Sequence, residues 1–83
     1  MQQRNSMTVT LYTPDSSRSF EADAVFLPGS GAPFEVLPGH APLISTLEPG
    51  EVRWRVSGAE ESLYVRSGLV RVMSDNIEIC AEC

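Results

Sequence analysis

Few of the 83 side chains could make or break a bond, and they are scattered. The single histidine, His40, lies in the run Pro38-Gly39-His40-Ala41-Pro42. A catalytic histidine needs a nucleophile to deprotonate or a carboxylate to orient it, and neither stands beside this one. The pattern predicts a loop histidine that bonds backbone or faces a partner. Cys80 and Cys83 form one C-x-x-C at the end of the sequence. A structural zinc takes four ligands, and a redox pair of this spacing opens a helix after a strand. The sequence supplies neither, so both read as reduced thiols in a fraying tail. Gly29-Ser30-Gly31 has the composition of a phosphate-binding loop, but such loops work by opening a helix. Here Pro28 precedes and Ala32-Pro33 follows, which points to a hairpin tip. Arg53 and Arg55, with Glu51, Glu60 and Glu61 nearby, read as a solvated strand face. No G-x-S-x-G, no Gly-rich loop ending in Lys and no H-x-x-x-H is present. No catalytic residue, metal ligand or cofactor site is expected, and the chain does not read as an enzyme.

The bulk composition narrows the partners. Net charge is −5, and all six basic residues are Arg. Nucleic acid and anionic membrane surfaces both require concentrated positive charge, so neither is expected to bind. The opening Met1-Gln2-Gln3-Arg4-Asn5-Ser6-Met7 has no apolar stretch like that of a secretory signal. No apolar run approaches the roughly 20 residues that span a bilayer. The expectation is a chain that reaches a membrane only through another protein, without direct insertion. With 42% hydrophobic and 20% charged residues the sequence is that of an ordinary folded domain.

The elements that must carry these residues are strands. Apolar and polar residues alternate with period two, broken repeatedly by Gly, Pro, Asn or Asp. In Thr8-Val9-Thr10-Leu11-Tyr12, Val9 and Leu11 share a face. Ala24-Val25-Phe26-Leu27, Phe34-Glu35-Val36-Leu37 and Leu43-Ile44-Ser45-Thr46-Leu47 each run into a Pro-Gly or a turn that contains one. Glu51-Val52-Arg53-Trp54-Arg55-Val56 predicts a half-buried strand with Val52, Trp54 and Val56 inward. Leu63 and Val65, Val70 and Val72, and Ile77 and Ile79 continue the core. There is no room for crossover helices. The fold class is therefore all-β, a small antiparallel β-sandwich or flattened barrel of short strands. One domain covers 1–83, with an ordered core over 7–81 and tails at 1–6 and 82–83.

The segment Leu27-Pro28-Gly29-Ser30-Gly31-Ala32-Pro33-Phe34-Glu35-Val36-Leu37-Pro38-Gly39-His40-Ala41-Pro42-Leu43 resembles the signature of the ATP synthase epsilon subunit (delta in mitochondria). Leu47-Glu48-Pro49-Gly50-Glu51-Val52-Arg53 resembles the family's L-x-P-G-x-V-R. Tyr64-Val65-Arg66-Ser67-Gly68-Leu69-Val70-Arg71-Val72 resembles a later strand pair. The resemblance runs over almost all of Met7–Ala81. Glu35 stands where the family usually has Gly, and the tip carries Ala32-Pro33. Many family members continue into a C-terminal helical hairpin that restrains hydrolysis and can bind ATP; the sequence stops at Cys83, so neither property is expected of it.

The resemblance implies a non-catalytic rotor part of the central stalk, coupling the gamma subunit to the polar loops of the membrane c-ring during proton- or sodium-driven ATP synthesis. It implies a peripheral location on the cytoplasmic side of the inner membrane. The c-ring contact maps onto Ser30, Gly31, Ala32, Pro33, Phe34 and Glu35. The gamma contact maps onto His40, Ala41, Leu43 and Ser45. Phe34 could equally be core, and alternation favours a core role for Leu43. A free-standing sandwich that binds peptide or carbohydrate is the alternative, and it would need an exposed aromatic patch from Trp54, Tyr64 and Tyr12.

Overall fold

Nine strands fill nearly the whole of the computed structural model, which describes residues 6–83. In chain order they are β1 (Met7–Tyr12), β2 (Ser17–Ala22), β3 (Ala24–Leu27), β4 (Phe34–Val36), β5 (Leu43–Leu47), β6 (Gly50–Val56), β7 (Ala59–Val65), β8 (Ser67–Met73) and β9 (Asn76–Glu82). They form two sheets, β2-β1-β9-β8-β5 and β4-β3-β6-β7, hereafter sheets A and B. The all-β sandwich expected from the alternation is what forms, with two separate sheets and not a closed barrel. One pairing departs from the antiparallel rule. β1 and β9, the first and last strands, lie side by side and parallel in the middle of sheet A. Their pairing joins chain ends some 70 residues apart, which no local pattern can encode.

The chain changes sheet at short corners where side chains are small or the backbone is tied. Ala22 and Ala24 flank Asp23, whose amide donates to the Arg55 carbonyl at 2.8 Å and whose carboxylate accepts the Ser57 amide at 2.9 Å. Arg66, between β7 and β8, donates its amide to Glu82 at 2.7 Å. That bond ties the corner to the end of β9. Cys80 therefore sits inside a strand, and the fraying-tail reading is corrected for it; the preceding alternation of Ile77 and Ile79 carries on through Ala81 into the core. Residues 1–5 of the expected N-terminal tail lie outside the described residues, while the Ser6 hydroxyl donates to Glu21 at 3.0 Å.

Two hairpins use two-residue turns with both central residues at positive φ: Ser57-Gly58 (51° and 85°) and Ser74-Asp75 (51° and 62°). This geometry matches the right-handed twist of the flanking strands.

The core is the inner face of both sheets. Val9, Leu11, Val70, Val72, Ile77 and Ile79 from sheet A meet Val25, Leu27, Val36, Val52, Trp54 and Val65 from sheet B. Trp54 is 3% exposed and packs on Phe20, ring centroids 5.0 Å apart. β2, which alternation did not single out, supplies that Phe20; its polar Ser17-Arg18-Ser19 start belongs to a sheet-edge strand. Val56, expected inward, is exposed. It is the last residue of β6, next to the Ser57-Gly58 turn, and its partner Ala59 across the turn is exposed as well.

Candidate functional site

The candidate residues fall on two segments that β5 separates. The first is the tip between β3 and β4. Pro28 accepts the Glu48 amide at 2.7 Å, and Gly29 bridges to Leu47, so the tip is fixed to the C-terminal end of β5. Gly29 is buried under the Phe34 ring, and a Cβ there would run into that ring. Phe34 is half-buried and packs against the core, with part of its ring left open to solvent. Ser30, Gly31, Ala32, Pro33 and Glu35 are exposed. Pro33, Phe34 and Glu35 line an open groove of about 440 Å³ together with Phe26, Pro28, Glu51 and Arg53.

The second segment leads into the opposite end of β5. Leu37-Pro38-Gly39-His40 closes on itself, with the His40 amide donating to the Leu37 carbonyl at 3.1 Å and Gly39 at φ 87°. Pro at the second place and a positive-φ Gly at the third are the marks of a type II turn. The His40 ring lies 2.6 Å, Nδ1 to oxygen, from the Ala41 carbonyl, and the residue is partly buried. His40 is thus the backbone-bonded loop histidine that its surroundings predict. Ala41 is exposed. Leu43 is half-buried and packs on the core, and Ser45 is half-buried with its hydroxyl donating to Thr46.

The two sets therefore do not merge into one site. β5 runs five residues between them, about 13 Å of extended chain. Alternation turns Leu43 and Ser45 toward the interior, leaving Ile44, at 68%, as the most exposed large apolar residue among those described. Sequence mapping missed it. The signal was present, because Leu43 and Leu47 share a parity and Ile44 has the other. On the outer face of sheet A, Ile44 pairs with Arg71 and Thr46 with Leu69; Leu69 pairs with Cys80, and Cys80 with Tyr12. Leu69, Tyr12 and Met73 are all exposed, with the Arg71–Glu78 ion pair at 2.8 Å lying among them. The result is an apolar stripe without cover.

The other chemical groups stay apart. Cys80 and Cys83 are free and exposed. Cys80 lies within β9 and Cys83 just past its end, and three residues of extended chain span about 10 Å, beyond the 4.4–6.8 Å that a disulfide allows between Cα atoms. No group of three metal-ligating side chains occurs among the described residues.

The sequence matches the model of a family described as "ATP synthase, Delta/Epsilon chain, beta-sandwich domain" over residues 6–83. The chain belongs to that family. Among curated relatives, the epsilon chain of ATP synthase from Myxococcus xanthus is 38% identical over 77 residues, 92% of this chain and 57% of the relative. That from Desulfitobacterium hafniense is 40% identical over 62 residues, 75% of this chain and 47% of the relative. The chain thus spans about half the length of the family members it matches. Its fold is that of chains in two solved assemblies. The mitochondrial ATP synthase of Euglena gracilis, described as OSCP, F1 and c-ring, gives a TM-score of 0.88 at 18% identity, with 98% of this chain and 53% of that one covered. The central stalk and c-ring of the Tetrahymena thermophila enzyme gives 0.80 at 20% identity, with 99% and 67% covered.

Proposed function

We propose that this chain is a stiff coupling piece of a rotary ATP synthase, held between the gamma subunit and the polar loops of the c-ring. It makes and breaks no bond itself and stays peripheral to the membrane, on its cytoplasmic side. The observation that carries this reading is the separation of the two candidate contact sets at opposite ends of one strand. Pro28 and Gly29 attach the tip to Leu47 and Glu48, and β5 joins that end to Leu43 and the Pro38–Ala41 loop. A load applied at the tip passes along a hydrogen-bonded strand backed by a densely packed core, where there is little slack to absorb it. The tip residues Ser30–Glu35 meet the ring loops. His40, Ala41 and the outward Ile44 meet gamma, with the apolar stripe of sheet A extending that surface, while Leu43 and Ser45 support it from behind.

The alternative, a module that binds peptide or glycan on an aromatic platform, loses its main element because Trp54 is buried. Tyr12 and Tyr64 lie on different sheets and form no shared surface.

The test is capture of purified gamma by the tagged chain. Wild type is expected to bind stoichiometrically, and His40→Glu to weaken capture about tenfold while leaving the unfolding midpoint within about 0.5 kcal/mol. Failure of the wild-type chain to capture gamma would overturn the reading.

A further inference from the structure

The Pro38–Gly39 turn leaves one main-chain donor unspent, and a residue far away in sequence takes it. Pro38 has no amide hydrogen, and the His40 amide closes the turn on Leu37. The Gly39 amide points away from the turn and donates to Asp75 Oδ1 at 2.7 Å. Asp75 is held in turn. It is the second residue of the two-residue β8–β9 turn, at φ 62°, a left-handed conformation that Asp and Asn accept more readily than most residues. Its carbonyl accepts the Thr8 amide at 2.9 Å, which anchors it to β1 in the middle of sheet A. A carboxylate accepting a main-chain amide is among the stronger hydrogen bonds available to a half-exposed group.

We propose that Asp75 is a positioning residue that locks the Pro38–Gly39 turn onto sheet A and so fixes the direction in which His40 and Ala41 face their partner. This rests on the reading that the turn meets gamma. The loop from Leu37 to Pro42 belongs to neither sheet and crosses between them. Among the described hydrogen bonds, Gly39 to Asp75 is the one that ties this crossing to another part of the chain. Without it the turn would keep its own shape but could swing as a unit. Through Thr8 the clamp also links the loop to the strand that pairs with both β2 and β9.

Three variants of the full 83-residue chain separate acceptor, charge and backbone. Asp75→Gly keeps the left-handed backbone and removes the acceptor. Asp75→Asn keeps an acceptor oxygen and the same backbone preference without the charge. Asp75→Ala removes both the acceptor and the tolerance of positive φ. Amide exchange at Gly39, read by NMR, is expected to speed about tenfold or more in Asp75→Gly and to stay within about threefold of wild type in Asp75→Asn. Capture of gamma is expected to weaken about fivefold in Asp75→Gly and to recover in Asp75→Asn, with the unfolding midpoint of both close to wild type. Unchanged Gly39 exchange in Asp75→Gly would overturn the clamp. Undiminished capture by that variant, with wild type binding normally, would overturn its positioning role. If wild type itself failed to capture gamma, faster Gly39 exchange in Asp75→Gly would still support the clamp, and only the coupling reading would fall.

Discussion

The outer faces of the two sheets obey the same alternation and are dressed in opposite ways. On sheet B, Phe26 is roofed by two guanidinium groups, with Arg53 5.0 Å and Arg55 5.3 Å from the ring centroid. Glu60 sits opposite both arginines, at 3.7 and 3.6 Å. That face covers Phe26 with stacked cations and pairs them from the neighbouring strand, while Tyr64 of β7 stays exposed beside them. On sheet A, one ion pair, Arg71–Glu78, lies among Ile44, Leu69, Met73 and Tyr12, and their apolar surface stays open. Sheet B caps its Phe26 ring within the domain, and sheet A leaves four large apolar side chains open.

The strongest way to break this comparison is to remove what the two faces share. Trp54→Ala should cost about 3–5 kcal/mol, because the buried indole and its packing on Phe20 are lost together. Urea unfolding measures it, and a loss under about 1 kcal/mol would mean the ring does not seal the interior. Ile44→Asp should reduce gamma capture at least tenfold, roughly 1.4 kcal/mol, and leave stability within about 0.5 kcal/mol. If it unfolds the domain instead, the stripe is structural and the two faces are alike. Phe34→Ala falls between core and surface. We expect about 1–2 kcal/mol of lost stability from its half-buried ring, together with weaker binding to c-ring loops in a reconstituted rotor. A loss beyond about 4 kcal/mol would place it wholly in the core. The smallest effect should come from Arg53→Ser, within about 0.5 kcal/mol in stability and neutral in gamma capture, since exposed ion pairs contribute little. A clear binding defect there would give sheet B a partner too.

The site was legible in unequal parts. Pro38, Gly39 and His40 announced a turn, and the turn formed with the hydrogen bond its residue types demand. The tip at Gly29-Ser30-Gly31 formed as a hairpin tip, because prolines on both sides forbid a helix. Ile44 was hidden behind the resemblance, which drew attention to its neighbours Leu43 and Ser45; parity alone would have found it. Cys80 was misjudged because its place near the end of the sequence outweighed the alternation that carries β9 to Glu82. Asp75 could not be found at all, since nothing around residue 75 refers to residue 39.

The sequence by itself determined the strands, the inward set of Val, Leu and Ile, the all-β class and the turn chemistry, because each depends on residues within a few positions of one another. Only the tertiary structure decided which strands are neighbours, that β1 and β9 run parallel, and that the tip and the His40 loop stand at opposite ends of β5. It also decided which open face gathers Ile44, Leu69 and Tyr12. Those outcomes depend on the whole core closing at once, and the free energy that selects them is spread over contacts between residues far apart along the chain.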